Sequence, residues 1–313
     1  MNEFIAQPDV TLSIAAVERD TGLSKDTLRV WERRYGFPMP RRDAFGERCY
    51  GTDEVDKLRL VKRLMDGGHR PGKIVHRSSA ELQELAQALA PPAASPPCAD
   101  LDGYLNLLKT HRVDELRRSL SQELVRVGLA RFVAESIAPL TVLVGECWAR
   151  GSIEIFEEHL FTELVQVLLR NAINQIPEPG GRPDILLTTF PQEPHGLGLL
   201  MAEALFSLDG CKCVSLGVQT PIWDIARAAQ AQRVDIVALS FSPVVNGHQL
   251  IEGLIELTHR LGPSVEIWAG GTHPLLKRRP PLNVRTLSGL ADLHLAVAEW
   301  RSRAAARGDR AAS

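Results

Sequence analysis

Past residue 183, short apolar runs alternate with amphipathic stretches of helical period, and no other feature restricts the fold so tightly. The runs 184–190, 212–217, 234–241, 264–270 and 284–288 read as strands, and 196–208, 222–232, 247–262 and 290–305 as helices. This βαβ alternation predicts a parallel, doubly wound α/β sheet over residues 183–305, with 306–313 a flexible tail. Sheets of this kind take ligands beyond the carboxyl ends of their strands, at a topological switch point. Three stretches fall at strand ends: Glu193-Pro194-His195-Gly196-Leu197-Gly198, Ser240-Phe241-Ser242 and Gly270-Gly271.

At 313 residues the chain has room for two or three domains. Four prolines among small residues at Ala90–Pro97 mark a semi-extended linker, assigned to 86–99, and a second joint lies at Ile176–Pro183. Between them, Leu101, Leu105, Leu108, Val113, Leu116 and Leu120, then Phe156, Leu160, Leu164 and Val165, recur at helical spacing. Residues 100–177 therefore read as a small four-helix bundle. No apolar stretch approaches the roughly 20 residues of a membrane span. MNEFIAQPDV lacks the basic flank and apolar core of a signal peptide. Five scattered cysteines fit a reducing cytosol, and Cys211-Lys212-Cys213 reads as structural, since no second pair completes a zinc set. These features predict a cytoplasmic protein with no membrane partner. An enzyme reading fails for space: beside the modules described below, no room is left for a substrate barrel of roughly 250 residues. Nor is there a nucleophile elbow, phosphate loop or HExxH pattern.

Net charge is −2, which hides an asymmetry: residues 11–80 hold 15 Lys and Arg against 10 Asp and Glu. A basic module on an acidic body calls for an anionic partner. Within it, Ile14 and Val17 mark one helix, Thr21-Gly22-Leu23 a turn, and Ser24 caps a second helix that points Leu28 and Trp31 inward. Lys25, Thr27, Arg29, Arg33 and Arg34 then suit contact with base edges and phosphates. The basic, glycine-turned loop 36–50 reads as a hairpin wing, and a third helix carries Val55, Leu58, Val61 and Leu64. TLRVWERRYGFPMPRR, the Tyr50–Val55 junction and LRLVKRLMDGGHRPGKIV resemble the winged helix-turn-helix domain of MerR-type transcription regulators, here residues 1–85. The resemblance implies binding to double-stranded operator DNA through Lys25, Thr27, Arg29, Arg33, Arg41, Arg42, Arg48 and Tyr50. The long dimerisation helix and short Cys-rich loop of the metal-sensing members are not evident, so sensing falls to the C-terminal part.

A neutral imidazole is a good transition-metal ligand, and a carboxylate two residues away can hold its second nitrogen. Glu193-x-His195-x-x-Gly198, Ser240-x-Ser242 and Gly270-Gly271 resemble the Asp-x-His-x-x-Gly, Ser-x-Leu or Ser-x-Thr, Gly-Gly fingerprint of Rossmann-like cobalamin-binding domains, with Glu for Asp as a departure. The resemblance implies that His195 is the lower axial ligand of cobalt, and that Ser240, Ser242, Gly270 and Gly271 line a slot for the nucleotide tail. Trp148, nine residues, then Glu158-His159 is similar to a motif of the adenosylcobalamin-dependent light-sensing repressors of the CarH/LitR group, which join a MerR domain, a helical cap and a cobalamin domain in this order. That likeness implies that Trp148, Glu158 and His159 enclose the adenosyl group, and that a homo-dimer or homo-tetramer represses. In that group a histidine follows the tryptophan and takes the upper cobalt position after light; here Ala149 has no donor atom. The alternative is a MerR-type regulator whose C-terminal domain binds no cobalamin and senses another ligand or a protein.

Overall fold

The computed structural model describes residues 11–43, 45–66, 68–87, 100–177, 181–278 and 282–311. From residue 88 on, the expected linker lies outside the described residues. The chain forms two compact units, residues 1–93 with 146–153 and residues 94–145 with 154–313.

The first unit holds β1 (Thr11–Ser13), α1 (Ile14–Thr21), α2 (Lys25–Tyr35), β2 (Arg41–Arg42), β3 (Arg48–Gly51), α3 (Thr52–Asp66), α4 (Pro71–Ile74) and α5 (Ser79–Gln87). Ser24 caps α2 as its sequence predicts, its hydroxyl accepting from the Thr27 amide at 3.1 Å. Leu28 and Trp31 turn inward onto Val17, Val55, Leu58, Val61 and Leu64. The wing is an antiparallel pair, Arg41 opposite Cys49 and Arg42 opposite Arg48. Its turn is closed by Asp43, whose carboxylate accepts from the amides of Phe45 and Glu47. The strand β1, three residues long and invisible to periodicity, pairs with β3 and makes the wing a three-stranded sheet.

Next in the chain come α6 (Leu101–Lys109), α7 (Val113–Val127), a continuous helical stretch Leu129–Ala149, which belongs to the second unit as far as Gly145, and α10 (Ile155–Asn174). The continuous stretch comprises α8 (Leu129–Arg131), a π-helical segment Phe132–Ile137 and α9 (Ala138–Ala149). It is 21 residues long, with a mean hydropathy of 1.3 over its most apolar 18 residues, so by length and composition alone it reaches membrane-spanning size, against the expectation that no apolar stretch would. Its Phe132, Val133, Ile137, Leu140 and Val144 are buried core residues of the protein. The expected inward stripe of α10 is also corrected. Leu164 and Val165 face inward as expected, but Phe156 and Leu160 are exposed and Phe161 and Leu169 take their place in the buried face.

The sheet domain follows as β4 (Gly181–Thr188), α11 (Leu197–Leu208), β5 (Cys211–Gly217), α12 (Ile222–Gln232), β6 (Ile236–Phe241), α13 (Gly247–Leu261), β7 (Glu266–Gly271), α14 (Pro274–Arg278), β8 (Val284–Thr286) and α15 (Asp292–Ala311). Residues 306–311, read from sequence as tail, continue this last helix. Strand order is β5-β4-β6-β7-β8, all parallel. Alternate residues serve opposite faces. Leu186, Val237, Leu239 and Ile267 pack with α12 and α13, while Ile185, Leu187, Ile236, Ala238 and Trp268 pack with α11 and α15. Burial on both faces is what an unbroken apolar run such as Ile185–Leu187 requires, each such side chain contributing about 1.5–3 kcal/mol. The order reverses between β4 and β6, so the switch point lies at their carboxyl ends.

Candidate functional site

The switch point is where the three strand-end motifs meet. Register places Ser240 beside Gly270 and Phe241 beside Gly271 at the ends of β6 and β7. The loop after β4 brings in Glu193, whose carboxylate is fully buried. One of its oxygens accepts from the His195 amide at 3.0 Å and pairs with His195 Nδ1 at 2.7 Å. The other accepts from the backbone N–H of Ser242. Glutamate in place of aspartate therefore has a geometric reason: the longer arm spans from its own loop to the end of the neighbouring strand. Ser242 Oγ lies 3.3 Å from the same Nδ1. Burial pushes the Glu193 carboxyl up, but the hydrogen bonds from His195 and Ser242 outweigh it and hold the group below the usual carboxylate range. An Nδ1 hydrogen shared with this carboxylate puts the imidazole lone pair on Nε2, and the ring is half-exposed at 56%.

The glycines have distinct tasks. A Cβ on Gly198 would sit 3.2 Å from Ser240 Oγ, so its absence lets the start of α11 approach the end of β6. Gly271 has φ +107°, and a Cβ there would lie 2.2 Å from the Phe241 carbonyl, so the sheet itself demands it. A Cβ on Gly270 would find its nearest neighbours, Leu287 atoms, at 3.9 Å, an ordinary contact, so packing does not demand a glycine there. Sequence reasoning missed Thr189, whose hydroxyl donates to the Glu193 carbonyl at 2.6 Å and accepts from the Gln219 amide at 2.8 Å, bracing the loop. The signal was present as two hydroxyl residues ending an apolar strand.

Glu158 and His159 open α10 and pair with each other, Nδ1 to carboxylate at 2.7 Å, while Thr162 donates to the second Glu158 oxygen. Trp148 is half-buried at the end of α9, in the first unit, with Ala149 after it. Cys211 and Cys213 lie in β5 with thiols pushed by burial to about 11 and about 12, so neither is ionised at neutral pH.

On the basic module, Arg29, Arg33, Arg41 and Arg42 are exposed and Lys25 and Thr27 half-buried. Lys25 pairs with Glu18 at 3.5 Å and Arg29 with Asp26 at 3.3 Å. Arg42 donates to the Gly46 carbonyl at 2.7 Å, clamping the wing turn. Arg48 bonds Glu32 of α2 at 2.9 Å and braces the wing against that helix. Tyr50 corrects the sequence reading: it is wholly buried in the module's core, and its hydroxyl has no partner among the described residues. Phe45, 91% exposed at the wing tip, was not anticipated.

A family model described as MerR HTH family regulatory protein matches residues 12–80, and one described as B12 binding domain matches residues 183–292. Over 255 residues the chain is 31% identical to the HTH-type transcriptional repressor CarH of Myxococcus xanthus, covering 80% of this chain and 85% of that protein. It is 30% identical over 235 residues to the repressor CarA of the same organism, covering 74% and 77%. Among solved structures, the monomethylamine corrinoid protein of Methanosarcina barkeri superposes with a TM-score of 0.51 at 12% identity, over 63% of this chain and 96% of that one. That likeness is one of fold.

Proposed function

The chain belongs to the CarH/CarA family of HTH-type transcriptional repressors, and on that premise we propose that it represses from operator DNA under the control of adenosylcobalamin. The observation that carries the reading is the buried Glu193 aiming a half-exposed His195 out of the switch point. A neutral imidazole fixed in this tautomer would supply the nitrogen donor to the cobalt. Ser240, Ser242, Gly270 and Gly271 form the slot for the nucleotide tail, and Gly198 lets α11 close on it. The family likeness assigns Trp148, Glu158 and His159 to the adenosyl group. When bound, the cofactor supplies a light-cleavable cobalt–carbon bond.

Lys25, Thr27 and Arg29 enter the major groove on α2, with Arg33, Arg41 and Arg42 on the flanking phosphates and Arg48 positioning the wing. The protein acts in the cytoplasm as a homo-dimer or homo-tetramer. Cofactor shifts that assembly only by its differential affinity for the two states, and each added DNA module raises occupancy through avidity. Since Ala149 has no donor atom, the illuminated form is not held by a histidine at that position.

The test is a visible spectrum of the protein mixed with adenosylcobalamin in the dark, desalted, and read again after green light. Retained cofactor with a His-ligated spectrum is the expected result, and a light-induced change that alters operator affinity completes the reading. No retention sinks it. Retention with no change on illumination removes the light response and leaves a cofactor sensor.

A further inference from the structure

Beside the His195 loop, a cleft of about 160 Å³ opens between α10 and α11, against roughly 10–15 Å³ for a single water. Gln166 and Arg170 reach it from α10, Glu203 from α11 and Ser215 from β5, and Pro194 and Gly196, the two neighbours of His195, form its near wall. Among the described residues, the side chains of Gln166, Arg170 and Glu203 make no hydrogen bond or ion pair; Arg170 is exposed and Gln166 and Glu203 are half-buried, so all three are open to a ligand at this cavity. Burial pushes the Glu203 carboxyl up, while the Arg170 charge pulls the other way.

The chemistry of this set selects its ligand. A carboxylate would gain Arg170 and confront Glu203; an ammonium would gain Glu203 and confront Arg170. A neutral primary carboxamide satisfies both, its carbonyl accepting from the guanidinium and its NH₂ donating to Glu203 or the Gln166 carbonyl. Corrins carry such amides around their rim, and the cleft adjoins the residues that flank the cobalt ligand. We propose that the Gln166–Arg170–Glu203 cleft is a receptor for one primary carboxamide on the rim of the corrin, setting the ring's rotation over His195. The inference rests on the cobalamin reading above.

It is tested on the full-length protein by titration in the dark with adenosylcobalamin and, separately, with cobalamins in which one rim amide has been hydrolysed to the acid. Wild type is expected to bind one positional acid about tenfold more weakly than the parent. Arg170→Leu and Glu203→Leu should each weaken parent binding about tenfold, with Glu203→Gln within about threefold of wild type. The His-ligated spectrum should persist in whatever remains bound. Equal affinity for all acid isomers, or folded Leu variants that bind as wild type does, overturns this inference alone. No retention by wild type overturns the cobalamin reading, and the receptor with it.

Discussion

The basic module and the switch-point site carry their polar residues in opposite ways. On the module the cations lie at the surface, Lys25 half-buried and Arg29 exposed, and these two pair with near neighbours, Lys25 with Glu18 and Arg29 with Asp26. Each such surface pair is worth little, commonly under about 1 kcal/mol, so the side chains leave these partners readily for a phosphate. At the switch point one buried carboxylate holds an amide and a ring nitrogen of its own loop and an amide of the next strand. The first surface is redundant and tolerant; the second depends on every member.

That contrast can be broken at its strong end first. His195→Ala should lower cobalamin affinity by more than about 100-fold by dialysis, since changes to a ligand's supporting shell alone cost about 10–100-fold. Full retention by that variant would remove the site. Glu193→Ala should follow with about 10–100-fold weaker binding. It should also lower the denaturant midpoint, because the Ser242 and His195 amides lose a buried acceptor at about 1–3 kcal/mol each. The same carboxyl is more acidic folded than unfolded. Its stabilisation is therefore complete above the unfolded value of about 4.3 and is lost as pH falls through the lower folded value. A pH series of unfolding midpoints should show this loss in wild type and lack it in Glu193→Ala.

At the tolerant end, Arg29→Ala should weaken operator binding about three- to tenfold and reduce the salt slope by about 1 if it meets a phosphate. A loss confined to one base position identifies it as a base reader instead. The smallest effect belongs to Tyr50→Phe. Removing a buried hydroxyl without a partner should leave stability unchanged or raise it by up to about 1 kcal/mol, and operator affinity should not move. A tenfold loss of affinity would return Tyr50 to the DNA surface.

Legibility followed the range of the interactions. The strands and helices of the sheet showed in their periodicity, and the Ser24 cap and inward Trp31 in local grammar. Glu193 beside His195 was readable because the contact spans two residues. Its bond to Ser242, 49 residues on, was not, and neither was the reason for a longer arm. Tyr50 misled because an aromatic among arginines reads as surface; only the packing of α3 and α1 around β3 buries it. The inward face of α10 was misjudged because Phe156 and Leu160 share the helical period of the buried set while lying to one side of it. The strand β1 is too short for any period to show.

The π-helical segment Phe132–Ile137 has an outcome for everything after it on that helix. A π turn holds one residue more than the α-helix it interrupts, the footprint of a single-residue insertion. Excising one residue there restores regular winding and swings each later side chain, Trp148 included, by about 100° around the axis. The azimuth of the tryptophan is thus written more than two turns upstream, in a stretch that carries none of the motif by which it is recognised.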